Sequence, residues 1–419
     1  SFILTLATFA CICSWQSNVY AQRTAIEERL SHAPVQEKPY LHLDNNCYFL
    51  GDTIWYKAYL VEAASLRPTA ESHILYVELV DPEGHVVERH RQYIGRPDAD
   101  HGDFALADTL RSGYYELRAY TRWMMNFCVT ERPYNRKDRE LFYNRQMAKD
   151  FFRDYGTVWS RVVAVYERPE KDGDYSDRQI LPRPRQRALK PKKPSLNVTF
   201  YPEGGNLIAG TQCRIAFEAL NEDGEAVNIT GKVDGQDIRA DFMGRGSFLY
   251  DVPKEGKARA TFSYQGEDYR FVLPDILPKG LTLRVSEDEV TLQGQGLSAK
   301  HLKAAFLTRG VLRSLLDVSL DAKDEGTLHF DRSQLPTGVC DLIGYDEAGN
   351  VLADRLFFVN HHDYDQRRIT IEGAKTKYQP CEKADLTLAA PRDVRTLSVA
   401  VRDQKGTAPS YDSGSLLTD

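Results

Sequence analysis

Short runs of alternating apolar and polar residues recur along this chain, and turn residues separate them. The run Gly113–Tyr120 reads Gly-Tyr-Tyr-Glu-Leu-Arg-Ala-Tyr. Such alternation is typical of a strand with one buried and one solvated face, because successive side chains point to opposite sides of a sheet. The turn Asp81-Pro82-Glu83-Gly84 joins two runs and indicates a hairpin. Many short strands without intervening helices predict an all-β fold of sandwiches.

The chain is too long for a single hydrophobic core. It has 419 residues, whereas single cores stop growing at about 250–300 residues. We therefore expect tandem sandwiches, preceded by a short helix in which Ile26 and Leu30 share one face. The expected division is a signal peptide at 1–21, a helical lead-in at 22–37, a first sandwich at 38–130, a charged excursion with a Pro-rich basic linker at 131–194, a second sandwich at 195–278, a third at 279–362, and the start of an incomplete fourth at 363–419.

Two segments of the first and third sandwiches resemble each other. Residues 110–120 and 335–345 both contain Leu-x-x-Gly followed by a strand pattern that ends in Tyr. The excursion between the first two sandwiches contains one expected strand, at 158–166. Its end, residues 181–194, combines dense Pro with six basic residues and is expected to be an extended linker. A basic patch for an anionic surface such as lipopolysaccharide is the alternative.

The start of the chain is expected to direct export. An apolar stretch runs from Phe2 to Cys13, and Val19-Tyr20-Ala21 precedes Gln22, as at a signal-peptide cleavage site. The stretch is shorter than the roughly 20 residues that span a bilayer. We expect an exported protein, periplasmic or associated with the outer membrane, that meets the membrane only through this leader. A membrane anchor and a lipoprotein modified at Cys11 or Cys13 are the alternatives.

Charge and cysteine spacing exclude several classes of partner. The formal net charge of −6 provides no overall positive field for nucleic acid. The cysteines beyond the leader have no C-x-x-C spacing, which argues against a zinc site or a dense disulfide framework. We expect most of them to be buried apolar residues: Cys47, Cys128, Cys213, Cys340 and Cys381.

The familiar catalytic motifs are missing from the sequence, so we expect a non-enzymatic protein with no catalytic, cofactor-binding or metal-binding residues. Three groups of residues are nevertheless candidates for a site. His361-His362-Asp363 is expected to be a solvated hinge, with a metal site as the alternative. His42 and Asp44 are expected to make structural hydrogen bonds. The segment from Asp98 to Asp103 is expected to be an acidic turn, with a Ca²⁺ site as the alternative.

Four aromatic residues, Trp55, Tyr56, Tyr59 and Trp123, form a further candidate set. A sugar-stacking or partner surface is one interpretation. Alternation along a strand favours the other, in which half of them enter the sandwich core, since Trp55 and Tyr59 share one face.

The segment from Glu37 to Leu60 carries a family resemblance. It contains Glu-Lys-Pro-Tyr-Leu-His-Leu-Asp and Gly-Asp-Thr-Ile-Trp-Tyr-Lys-Ala-Tyr-Leu, and it resembles the opening of macroglobulin-like modules. Together with residues 113–126 and 201–207, it is similar to large exported Bacteroidetes proteins that have an α2-macroglobulin-like region. Some members also carry a TonB-receptor-type plug domain farther on. The resemblance implies tandem immunoglobulin/macroglobulin-like β-sandwiches.

The resemblance also implies a function. We expect a non-catalytic interaction or scaffold protein of the envelope, whose modules support an outer-membrane TonB-linked receptor. Its partner is then an envelope protein or a downstream domain of the same chain. A macroglobulin-like endopeptidase inhibitor, with a protease as its partner, is the alternative. The Cys-Gly-Glu-Gln thioester of protease-trapping macroglobulins is replaced by Cys381-Glu382-Lys383, so inhibition does not follow from the fold. A glycan hydrolase is a third possibility, and it needs paired carboxylates.

Overall fold

The described part of the chain is almost entirely β-structure. The computed structural model describes residues 25–32, 34–95, 99–127, 158–171, 174–176, 178–181, 194–222, 226–363, 369–392, 394 and 396–402. Within these residues there is one α-helix, α1 (Ala25–Ser31), and two short 3-10 turns, Met124–Phe127 and Arg332–Gln334. The predicted all-β fold class and short N-terminal helix are confirmed.

The first module consists of two packed sheets. Its strands are β1 (Glu37–Leu43), β2 (Cys47–Phe49), β3 (Thr53–Glu62), β4 (Ile74–Val80), β5 (Val86–Tyr93), β6 (His101–Ala105), β7 (Gly113–Tyr120) and β8 (Trp159–Tyr166). One sheet has the order β1-β3-β6 and the other β2-β8-β7-β4-β5. Ile54 and Phe104 from the first sheet and Leu75 and Leu117 from the second are fully buried between them. Burial of these alternating side chains supplies the main stabilisation.

Strand β8 corrects the expected boundary of the first sandwich at residue 130. A strand at 158–166 was predicted, but as part of the excursion. Instead β8 pairs antiparallel with β7 and parallel with β2, and its residues Val163 and Val165 lie in the first core. The physical reason is that β7 would otherwise leave a row of unpaired main-chain groups at a sheet edge.

The second module follows the residue 194 boundary. Its strands are β9 (Leu196–Pro202), β10 (Leu207–Ile208), β11 (Gln212–Asn221), β12 (Thr230–Val233), β13 (Gln236–Arg239), β14 (Arg245–Asp251), β15 (Arg259–Tyr264), β16 (Glu267–Val272) and β17 (Ile276–Leu277). The sheets are β14-β11-β9 and β13-β12-β15-β16, with β10 paired to β17. Its core is rich in phenylalanine.

The third module is built similarly. Its strands are β18 (Gly280–Val285), β19 (Glu289–Gln295), β20 (His301–Thr308), β21 (Val311–Ser319), β22 (Glu325–His329), β23 (Gly338–Asp346) and β24 (Val351–Val359). They form the sheets β18-β19-β22 and β21-β20-β23-β24. Phe306, Leu342 and Val359 are fully buried in its core.

The three modules share one strand order. The four-stranded arrangement β5-β4-β7-β8 of the first corresponds to β13-β12-β15-β16 and β21-β20-β23-β24 in the others, and each faces a three-stranded sheet. The third module lacks the short strand that corresponds to β2 and β10, and β17 occurs in the second module alone among the described strands. Strands β7 and β23, which follow the two Leu-x-x-Gly segments, occupy equivalent places. The similarity seen in the sequence therefore reflects a repeated unit.

The glycine turn that precedes β3 in the first module recurs before β11 in the second. Strands β3 and β11 are each ten residues long and bury their residues in the same order. Each follows a glycine with positive φ, 95° at Gly51 and 74° at Gly210, a conformation that other residues rarely adopt. The amide of Gly51 donates to the carbonyl of Leu106 at 2.6 Å, and that of Gly210 donates to Val252 at 3.0 Å. Residues Gly51-Asp52-Thr53 occupy this turn in the first module.

The described residues of the fourth segment contain a single two-stranded sheet. It pairs β25 (Thr370–Glu372) with β26 (Thr387–Ala389), and both strands are exposed. The expected strand at 397–401 is wrong, because these residues have no ladder partner. The expected signal peptide and most of the expected linker lie outside the described residues. No helix within the described ranges is long and apolar enough to cross a bilayer.

Three of the cysteines confirm their expected role. Cys47, Cys213 and Cys340 are buried, whereas Cys381 is exposed. Burial raises the pKa of the Cys213 and Cys340 thiols to about 11, which keeps both protonated and unreactive. Cys128 lies outside the described residues.

We expect Phe217→Ala to destabilise the second module by about 3–5 kcal/mol, because it opens a cavity in a close-packed core. Phe217 is 2% exposed and its ring lies 5.4 Å from that of Phe262. Phe242→Ala is the matched control, since Phe242 is 64% exposed and its removal should change stability by about 0.5 kcal/mol or less. Urea unfolding of both variants measures the difference, and equal destabilisation would contradict the assigned core.

Candidate interaction surfaces

Helix α1 packs on the outer face of the third module, although it immediately precedes the first. Its residues Ile26 and Leu30 contact a cluster formed by Ala305, Leu307 and Tyr345 on strands β20 and β23. The spacing of four residues places both aliphatic side chains on one face of the helix, as the sequence indicated. The same face of α1 therefore covers part of an otherwise exposed apolar sheet.

A nearly buried ion pair accompanies this contact. Glu27 is 5% exposed and accepts hydrogen bonds from Nζ of Lys303 at 2.6 Å and from the hydroxyl of Tyr345 at 3.2 Å. The hydrogen bond that Lys303 donates to the Glu27 carboxylate raises the pKa of Lys303. Two donors satisfy the carboxylate, which compensates for part of the cost of removing its charge from water.

The first and third modules also meet directly. The carbonyl oxygen of Ala64, just after β3, accepts hydrogen bonds from Arg309 and from Arg313, each at 3.4 Å. Arg309 also donates to the carbonyl of Thr337, in the segment that leads into β23. Arg309 and Arg313 thus connect the end of β3 to the third module, beside the helix contact.

The second and third modules are joined by polar contacts. Nη2 of Arg355 lies 2.5 Å from a carboxylate oxygen of Glu203. The side-chain oxygen of Gln212 accepts a hydrogen bond from Arg284 at 2.7 Å. The main-chain N–H of Gln212 donates to the side-chain oxygen of Gln293 at 3.1 Å. The two hydrogen bonds of Gln212 join β11 of the second module to β18 and β19 of the third.

The fourth segment returns to the first module. Nε of Arg402 donates to the carbonyl of Asp44 at 2.6 Å, and its Nη2 donates to the carbonyl of Leu43 at 3.2 Å. A hydrogen bond of 2.5 Å joins Nδ1 of His42 to the hydroxyl of Ser398. Burial, followed by the charge of Arg402, lowers the pKa of His42 and favours the neutral ring.

The Ser398–His42 pair does not form a catalytic triad with Asp44. Oδ1 of Asp44 accepts from the Tyr48 hydroxyl at 2.8 Å and from the amide of Trp55 at 3.0 Å, so this carboxylate holds the corner after β1. A serine nucleophile needs a base that a third group orients. The pair therefore serves as a link between segments, which agrees with the structural role expected of His42 and Asp44.

Asp44 and Glu203 occupy the same corner of two modules. The amide of Asp44 donates to the carbonyl of Trp55, and the amide of Glu203 donates to that of Arg214, at the equivalent position of β11. Each corner receives an arginine from a later module, Arg402 in one case and Arg355 in the other. The corner after the first strand is thus a repeated docking position between modules, which no local sequence pattern indicated.

The other sequence candidates do not converge on a site. Nε2 of His361 lies 2.7 Å from the carbonyl of Leu335, and Asp363 accepts from the Thr337 hydroxyl at 2.6 Å, so this segment is held to the third module. Asp100 lies in the segment that was expected to be an acidic turn. Its carboxylate forms a salt bridge with Nζ of Lys57 at 2.6 Å. Asp98 lies outside the described residues.

One trio in the described part of the chain has metal-ligand spacing, namely Asp81, Glu83 and His85 in the hairpin between β4 and β5. Oδ1 of Asp81 accepts from the amides of Glu83 and His85, both at 2.8 Å. These bonds are those of an Asp at the start of a tight turn, and they account for the cluster without an ion.

The aromatic set divides between the core and the surface. Tyr56 is buried at 3% exposure, whereas Trp55 is 55% exposed. Tyr59 is half-buried beside Tyr40. The indole N–H of Trp123 donates to the carbonyl of Val35 at 2.7 Å and fixes the segment that follows α1. Buried and exposed side chains alternate along β3, as expected, and Trp55 and Tyr59 share one face. That face is the outer one, so Tyr56 and not Trp55 enters the core.

Glu116 is a buried carboxylate that the sequence analysis missed. It is fully buried on β7 and accepts hydrogen bonds of 2.5 Å from Nε of Arg118 and from the Ser160 hydroxyl. Burial raises the pKa of Glu116 to about 7 despite these partners. In the sequence it occupies a polar position of an alternating strand, which normally indicates a solvated face.

No family model matches the chain, and no curated protein matches it by sequence. Among solved structures, it is similar to Salmonella alpha-2-macroglobulin reacted with methylamine, at 12% identity and a TM-score of 0.21, over 86% of this chain and 25% of that chain. Dimeric latent PorU from Porphyromonas gingivalis aligns at 10% identity and a TM-score of 0.28, over 77% of this chain and 34% of that chain.

The central fibronectin-III array of RIM-binding protein aligns at 11% identity and a TM-score of 0.21, over 79% of this chain and 99% of that chain. This chain spans about a quarter of the length of the macroglobulin that it matches. Likeness at these TM-scores carries no argument about function, and the sandwich architecture rests on the strand pairing described above.

We expect Glu27→Lys to release α1, because it places two cations together at a nearly buried position; breaking such a pair typically costs about 3–5 kcal/mol. Trypsin should then cleave after Arg29 about tenfold faster or more. Glu28→Lys is the matched control, since Glu28 is exposed on the same helix turn. Restoration of slow cleavage by adding Lys303→Glu would confirm the pair, and unchanged cleavage in Glu27→Lys would contradict it.

Glu116 should make the first module less stable as the pH rises. The folded state keeps a proton that the unfolded chain releases, since the pKa of Glu116 is about 7 rather than 4.5. This contribution to stability is complete below about pH 4.5 and is lost as the pH rises through 7, in total about 3 kcal/mol. Glu116→Gln should flatten that part of the stability profile in urea titrations from pH 4 to 8. A variant that keeps the wild-type slope would contradict this assignment.

Proposed function

We propose that this chain is a non-catalytic scaffold of a bacterial cell envelope. Its macroglobulin-like modules hold a partner, or a downstream domain of the same chain, at a defined position. The observation that carries the proposal is the docking of α1 on the third module. A helix that immediately precedes the first module in the sequence, yet packs on the third, restrains both modules and supports a fixed arrangement rather than independent modules.

The contacts between modules restrain the orientation of one module relative to the next. The described modules meet through polar side chains and main-chain groups, as in Arg355–Glu203 and Arg309–Ala64, and these bonds depend on orientation. Orientation matters for a spacer that must present a receptor domain. The role of the partner as a TonB-linked receptor rests on the family resemblance of residues 37–60. Export to the periplasm or outer membrane rests on the leader at 1–21.

The inhibitor alternative needs a reactive or cleavable element. Cys381 is exposed with a free thiol, but the carboxylate of the adjacent Glu382 accepts from Lys375 at 2.5 Å and from the amide of Gln379 at 2.7 Å. Glu382 is therefore held in a local turn, and residues 381–383 read Cys-Glu-Lys rather than the Cys-Gly-Glu-Gln of a thioester. Incubation with broad-spectrum proteases separates the two functions: trapped, size-shifted complexes favour the inhibitor, and ordinary digestion favours the scaffold.

Co-purification from envelope fractions tests the scaffold directly. The tagged wild-type chain should recover a specific envelope partner. Recovery should fall by about tenfold for Glu27→Lys, since freeing the modules raises the entropic cost of binding, and should be unchanged for Glu28→Lys. Failure of the wild-type chain to recover any specific partner, or equal recovery by both variants, would contradict the proposal.

A further inference from the structure

The outer face of the third module is only half covered. Helix α1 lies over the part formed by Ala305, Leu307 and Tyr345. In the strand register, Leu307 pairs with Asp341 and Asp341 pairs with Leu356, so the face continues across β23 onto β24. Val339 and Phe358 form the next pair along the same face.

The uncovered half combines apolar side chains with two acids. Val339, Leu356 and Phe358 are 38%, 55% and 40% exposed. Asp341 and Asp354 lie among these side chains. Asp354 pairs with Ile343 on the same face. Neither carboxylate has a salt bridge, and Oδ1 of Asp341 is buried without a hydrogen-bond partner, among the residues described.

The acids on this half have an unmet electrostatic requirement. Burial, and then the neighbouring charge of Asp354, raises the pKa of Asp341. A cation beside Asp341 would supply the missing partner, because a buried acceptor without a partner is costly, and the neighbouring Asp354 would attract the same cation. The covered half has the opposite arrangement, in which the cation Lys303 belongs to the sheet and the acid Glu27 belongs to the helix.

We propose that the uncovered half, formed by Val339, Asp341, Asp354, Leu356 and Phe358, docks a basic amphipathic helix of a partner protein. The helix would carry aliphatic residues four apart and a Lys or Arg between them. Two observations support this occupant: the surface continues the one that α1 already covers, and its charge is opposite to that of the α1 contact. The inference rests on the proposed scaffold role and names the chemistry of its partner.

Binding of a synthetic helix to the full chain tests the inference. The probe is a fluorescent Ala-rich peptide of about 20 residues, with Leu at i and i+4 and Lys between them. The acidic control has Glu in place of Lys and would suit the Lys303 half instead. Anisotropy titrations should show that the basic peptide binds the wild-type chain at least about tenfold more tightly than the acidic one.

Variants locate the surface. The double variant Leu356→Ser/Phe358→Ser, and separately Asp341→Asn, should each weaken binding of the basic peptide by about tenfold or more. Val272→Ser is the matched control, because Val272 is similarly exposed, at 56%, on β16 of the second module. The double variant and Val272→Ser should unfold close to the wild-type temperature, since the substituted side chains are exposed. Asp341→Asn should be no less stable than the wild type, because it removes a charge from a partly buried carboxylate without a partner.

The outcomes are distinct. Failure of the basic peptide to bind, equal binding of both peptides, or undiminished binding to the double variant would overturn the docking surface. Because the scaffold role is tested on Glu27, in the covered half, loss of the docking surface with intact co-purification would overturn this inference alone.

Discussion

The arrangement of the modules depends on one buried ion pair, between Glu27 and Lys303. The carboxylate lies almost completely out of water and is satisfied by Lys303 and Tyr345. The aliphatic residues on either side of Glu27 bury themselves against the same sheet. A charge in such a place is tolerated only in a specific geometry, so the pair selects one position for α1. It thereby relates a segment before the first module to a sheet some 276 positions later in the chain.

A repeated corner provides the second level of organisation. The modules share strand order, and the glycine turn before β3 is copied before β11. The corner after the first strand then receives Arg402 in the first module and Arg355 in the second. Because the unit is repeated, the same corner of successive modules can bind a later part of the chain, and each such contact fixes the orientation of the modules. This is the physical basis on which we propose a scaffold.

Much of the fold was predictable from local patterns, but its contacts between modules were not. Period-two alternation identified β7, and the Leu-x-x-Gly pattern identified its counterpart β23, because both are local signals. The strand at 158–166 was recognised, yet its place beside β7 was missed, since pairing across a long insertion leaves no local trace. Glu116 looked like a solvated residue because alternation reports the face of a strand and not what lies over it. The arginine corners join residues far apart in sequence, and spacing cannot reveal them.

A distance between the first and third modules tests the central claim most directly. Pulsed electron–electron double resonance would measure this distance between two nitroxide labels. The labels would be attached to non-natural ketone side chains at positions 65 and 317, which are both exposed and near the contact. A fixed array predicts a single narrow distance distribution that broadens in Glu27→Lys. A broad distribution in the wild-type chain would contradict the account, because the modules would then move independently.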